Sequence, residues 1–167
     1  MITAMFRDRE SAERGYDVLR RRGYGDRDVH LLMSDDARHR HFDTDRELST
    51  ELGNKALEGA GVGAGVGGAI GATLTALAAA GTALTIPGIG LVIAGPLAGA
   101  LAGAGAGGAA GGLVGALVGA GIPEERAKLY EHDLKHGGIM LGVRPRNEED
   151  AVDLEREWST HGEHVYR

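Results

Sequence analysis

The chain has no Cys, only four Pro, and seven aromatic residues: one Trp, four Tyr and two Phe. Without thiols there is no disulfide framework, no thiolate metal site and no cysteine nucleophile. The emptiest region is residues 59–122, 64 positions without one charged side chain, aromatic ring or His. A concentrated positive charge is missing as well. Residues 1–58 carry 11 Lys/Arg against 13 Asp/Glu, and residues 123–167 carry 7 against 11. Phosphate binding needs Lys and Arg gathered on one face. The densest run, Arg20-Arg21-Arg22, lies between Asp17 and Asp26 and reads as a solvated helix end, so no nucleic-acid partner is expected. The segment Met1–Asp8 lacks the basic start and long apolar core of a secretory signal.

What is present falls into two charged flanks around an uncharged centre. In the first flank, residues 2–6 read as a strand, and Asp8 caps a helix with Ala12, Tyr16 and Leu19 on one face. Residues 29–33 read as a second strand, and residues 34–50 as an irregular exposed connection. In the second flank, Pro123 suits the first turn of a helix striped with Ala127, Tyr130 and Leu134. Residues 139–143 read as a strand, Asn147 caps a helix with Ala151, Leu154 and Trp158 inward, and residues 164–166 close as a short edge strand. Strand–helix–strand on each side predicts an α+β fold, a split ferredoxin-like domain of residues 1–55 plus 123–167. Neither half has enough apolar residues to stand alone, so the two are expected to pair.

The centre, residues 56–122, is rich in Gly and Ala. Gly59, Gly63, Gly67 and Gly71 form one row of period four; Gly95, Gly99, Gly103, Gly107, Gly111, Gly115 and Gly119 form another. That spacing places bare backbone near one helix face, where a second helix can approach closely. Pro87, Gly88 and Gly90 mark a turn near residues 85–90. The expectation is an apolar glycine-zipper helical hairpin over roughly 56–84 and 95–121, each arm longer than the ~30 Å of a bilayer's hydrocarbon. Interior Gly costs roughly 1 kcal/mol each in a water-exposed helix, so the arms need lipid or one another. Only 18 of the 64 residues are Leu, Ile or Val, which leaves burial inside a soluble assembly as the alternative.

The segments Thr3–Asp8, Leu32–Asp35, Ala56–Gly61, Ile86–Gly90 and Ala120–Ala127 resemble a bacterial family of general-stress or low-temperature-induced proteins. In that family a small α/β domain is split by a glycine-zipper hairpin. The resemblance covers nearly the whole chain. It implies a non-enzymatic, stress-linked, membrane-associated protein and supplies no catalytic motif.

Other chemistry is thin. The GxGxxG matches at Gly63–Gly68 and Gly103–Gly108 sit inside uncharged repeats without the strand and acidic residue of a dinucleotide site. His132 and His136, four apart, are candidate metal ligands on one helix face, with His39 and His41 as distant possible partners. No cofactor and no catalytic residues are expected. The functional expectation is a non-enzymatic membrane protein that self-associates through its hairpin and scaffolds the bilayer, both termini cytoplasmic. The alternative is a cytoplasmic homo-oligomeric cage or filament with the hairpins inside.

Overall fold

A computed structural model of the protein describes residues 1–25, 27–42, 82–86, 89–98 and 105–167. Along the chain these form β1 (Ile2–Phe6), α1 (Arg9–Arg21), β2 (Val29–Ser34), α2 (Asp35–Phe42), β3 (Thr82–Ile86), β4 (Ile89–Ala94), α3 (Gly105–Gly119), α4 (Glu124–Lys135), β5 (Ile139–Val143), α5 (Glu148–Trp158) and β6 (Glu163–Tyr166). The six strands make one sheet in the order β3-β4-β2-β5-β1-β6, antiparallel throughout. The fold is α+β.

The helix starts follow from local chemistry. Asp8 accepts from the Ser11 amide at 2.8 Å, and the Ser11 hydroxyl faces back to the Asp8 amide, closing a capping box. The α1 stripe of Ala12, Tyr16 and Leu19 is fully buried. Asn147 caps α5 by accepting from the Asp150 amide at 2.8 Å. Pro123 takes the N-cap position of α4, one residue before its first turn.

Strands β1, β2 and β5 are buried at every position, because helices cover both faces of the sheet. Such strands read as continuous apolar runs and not as alternating ones. On one face Ile2, Phe6, Leu31, Met33, Leu141 and Val92 pack under α1, α2 and α5. There Trp158 meets Phe6 edge-on at 6.0 Å and donates to the Gly15 carbonyl at 2.9 Å. On the other face Met5, Leu32, Leu91, Ile93 and Met140 pack under Leu113 and Leu117 of α3 and Tyr130 and Leu134 of α4. The sheet is therefore the middle of three layers.

Two further expectations are corrected. Residues 35–42, read as irregular, are helix α2. The Ser34 hydroxyl accepts from the Ala37 amide at 3.1 Å, and Asp35 and Asp36 sit at the positive end of the helix. Residues 82–94, read as a helix end and a turn before the second helix, are instead the hairpin β3–β4, in register from Thr82↔Ile93 to Ile86↔Ile89. β4 then pairs with β2 from Leu31↔Ala94 to Ser34↔Leu91. Thr82, Thr85, Ile86, Val92 and Ile93 are β-branched and suit a pleated surface better than a helix. Residues 82–98 and 113–122 consequently belong to the sheet and its cores, not to a separate hairpin.

Gly95 ends β4 with φ +86°, and a Cβ there would lie 1.9 Å from the Val29 carbonyl oxygen. Its place in the glycine row is thus corrected from helix packing to a tight exit beside β2. Gly95→Ala is expected to destabilise the fold by about 2 kcal/mol or more, read as a lowered midpoint in urea unfolding.

Candidate assembly surface and buried polar groups

The uncharged centre contributes a second layer and one edge of the sheet. In α3 the helix breaks direction at Gly112, whose φ of 62° and ψ of −157° suit Gly alone. Beyond the break Leu113, Ala116 and Leu117 turn inward. Val118 is 43 % exposed, and Leu129 on α4 is 42 % exposed. A Cβ at Gly119 would meet nothing within 4 Å, and Gly115 is half-buried. This outer surface is small-residued, apolar and without charge along α3.

His30 joins the two parts of the chain. It is 4 % exposed on β2, and its Nδ1 accepts the Leu97 amide N–H at 3.1 Å, in the turn after Gly95. That bond requires a neutral ring with its proton on Nε2, which meets no hydrogen-bond partner among the described residues. Burial, helped by the positive charges of Arg144 and the N-terminus, pushes the His30 pKa down to about 4. No feature of the sequence marks His30 as more than one residue of an apolar strand.

A second buried group ties α4 to both β1 and the edge strand β6. The Tyr130 hydroxyl donates to the His164 carbonyl at 2.9 Å and lies 2.8 Å from the Thr3 hydroxyl, which can donate to it. Burial raises the Tyr130 pKa, keeping it a donor. His164 has φ +50°, where β6 shifts register against β1, and its Nε2 is 3.5 Å from Asp133 Oδ2. Asp133 and His164 resemble an orienting acid and a base. The nearby hydroxyls of Thr3 and Tyr130, however, are engaged with each other and with the carbonyl, so the group reads as a strut.

The third polar group braces α1 against α5. Arg22 pairs with Asp150 at 3.1 Å and with Glu157, while the Tyr24 hydroxyl donates to Asp150. The Arg146 guanidinium stacks 4.5 Å from the Tyr24 ring and donates to the carbonyls of Arg22 and Gly23. Burial works to raise the Asp150 carboxyl, but the hydrogen bonds from Tyr24, the Arg146 amide and Arg22 prevail and leave it below the ordinary carboxylate range. Arg21 and Arg22, from the basic run, thus face acids, Arg21 pairing with Asp17.

Of the residues singled out in the sequence, Gly59, Gly63, Gly67, Gly71, Gly99, Gly103, Pro87 and Gly88 lie outside the described residues. Gly107 and Gly111 precede the Gly112 break in α3, and Gly115 and Gly119 follow it. Gly90 is placed inside β4 opposite Thr85, a correction to its assignment in the turn. His132 and His136 stack with ring centres 4.2 Å apart, and His136 Nδ1 sits 2.7 Å from the His132 carbonyl. Among the described residues no three His, Asp or Glu side chains gather as a metal site. His39 pairs with Asp35 within α2. Among the described residues no helix is long and apolar enough to cross a membrane.

Comparison with protein-family models, with curated proteins and with solved structures found no match.

The His30 contact has a pH signature. Its folded pKa of about 4 lies below the ordinary 6.5, so the unfolded chain takes up the proton first. The stability it contributes is whole above pH 6.5 and falls away as pH drops toward 4, on the order of 3 kcal/mol in all. His30→Asn keeps an acceptor near the Nδ1 position and does not titrate. It is expected to flatten unfolding free energy between pH 6.5 and 4, and an unchanged slope would assign that slope to other groups.

Proposed function

We propose that this chain is a non-enzymatic, self-associating scaffold. A split α+β domain holds a Gly/Ala-rich apolar segment and presents it to neighbouring copies. The connectivity supports a ferredoxin-like frame: β1-α1-β2 and β5-α5-β6 interleave, giving the order β2-β5-β1-β6 inside the larger sheet. The stress link comes from the family resemblance, with Thr3–Asp8 and Ala120–Ala127 among the segments that carry it.

The observation that carries the reading is where the uncharged segment re-enters the fold. β2 precedes its first part, residues 59–81, and β3 and β4 come directly after that part within the same sheet as β2. Residues 59–81 number 23, enough at ~1.5 Å each for a single bilayer crossing. One crossing would carry β3 to the far side of the lipid from β2, which their shared sheet forbids. Two crossings need roughly twice that length. This favours assembly in water, with the hairpin rows meeting between copies, over the spanning hairpin. Scaffolding of a membrane, with lipid as partner, is kept as the second reading, because residues 59–81 are 23 uncharged positions in a row.

Light scattering after gel filtration in detergent-free buffer is expected to show a particle of several copies. A protein that leaves the alkaline-washed pellet only with detergent would favour the membrane reading instead. Gly107→Leu places a large side chain in the glycine row and is expected to break the particle into smaller species. An unchanged particle would remove that row from the interface.

A further inference from the structure

The two edges of the sheet differ. β6 is four residues long, contains Glu163 and His164, and shifts register against β1 between Thr3 and Met5. Shortness, charge and a register break are devices by which an edge refuses another strand. β3 has none of them. Its sequence Thr82-Ala83-Leu84-Thr85-Ile86 is free of charge and of Pro, and it stays in regular register with β4 along its whole length. Among the described residues β4 is its one strand neighbour.

We propose that β3 pairs antiparallel with β3 of a second copy of this chain, about a two-fold axis at Leu84, so that two sheets continue as one. An antiparallel strand sends the N–H and C=O of alternate residues to opposite sides. Ile86 and Ile89 stand opposite each other across a two-residue connection. These are the first and last positions of a β-turn and make a hydrogen-bonded pair. Counting back, Leu84 and Thr82 bond toward β4, and Ala83 and Thr85 turn their groups outward. Across the axis Ala83 exchanges N–H···O=C bonds with the partner's Thr85, and Leu84 meets the partner's Leu84 in the closer, non-hydrogen-bonded pair. A second copy is favoured over a foreign strand because the match is isologous and free of like-charge opposition, with β-branched Thr82 facing β-branched Ile86. The glycine rows take no part, so this surface stands or falls apart from the scaffold reading above.

The chain has no thiol of its own, so one introduced Cys reports its own contact. Full-length Leu84→Cys under mild oxidation is expected to form a covalent dimer of twice 17.3 kDa. Val152→Cys, exposed on α5, serves as the control and is expected to stay uncross-linked under the same conditions. Adding Thr85→Pro removes an outward N–H while leaving the bonds to β4, and is expected to abolish the Leu84→Cys dimer without changing the circular dichroism. Cross-linking no greater than the Val152→Cys control would overturn the proposal. So would a disulfide indifferent to Thr85→Pro, or exchange-protected Ala83 and Thr85 amides in a monomer, which would mean that residues 43–81 of the same chain cover the edge. A large particle that persists after the Leu84→Cys disulfide is lost supports strand pairing and glycine-row assembly as separate contacts.

Discussion

Everything in this fold depends on β5 lying between β1 and β2. Leu141 stands opposite Ala4 on one side and Leu31 on the other, and Ile139 opposite Phe6 and Met33. The first flank of the chain makes two strands that do not touch each other. Only the second flank, arriving more than a hundred residues later, supplies the strand that hydrogen-bonds both. The helices then divide between the faces: α1, α2 and α5 cover one, α3 and α4 the other. Every side chain of β5 is buried because both faces are occupied.

The polar groups left inside are arranged around that insertion. Arg22, Tyr24, Arg146 and Asp150 fasten the end of α1 to the start of α5, so the two crossover helices share one brace. Charged hydrogen bonds of this kind contribute more than neutral ones, and losing one partner leaves the others without theirs. Tyr130 does the same on the opposite face, reaching β1 through Thr3 and β6 through the His164 carbonyl. His30 is different in character. It couples the split domain to the glycine-rich segment through one neutral acceptor, and the Leu97 amide that uses it lies where that segment leaves the sheet.

The flanks were legible in the sequence. β1 and β5 follow from short apolar runs, and the caps at Asp8 and Asn147 and the inward faces of α1, α4 and α5 from cap residues and 3.6-residue spacing that the structure keeps. α2 was not, because only Ala37 and Phe42 of its eight residues are buried and no stripe marks it. Ser34 followed by Asp35 and Asp36 was the available signal. β3 and β4 were hidden by the glycine period, which drew helices to residue 84 and from residue 95 with a turn between them, although Leu91-Val92-Ile93 has the branching of a strand. Gly95 shows the limit of a spacing argument: it falls on the row, yet the Val29 carbonyl dictates it. The polar struts were illegible in principle, since Thr3 and Tyr130 are 127 positions apart and no local pattern relates them.

The position of β5 also governs how the chain emerges from the ribosome. β1 and β2 have left the tunnel long before Ile139–Val143 is made, and at roughly 5–20 residues per second that interval lasts several seconds. During it two largely apolar strands lack their shared neighbour, while most of the stretch being synthesised is the uncharged centre, residues 59–122. Within that stretch β4 supplies one neighbour of β2, so the other side of β2 and both sides of β1 wait for strands that are made last.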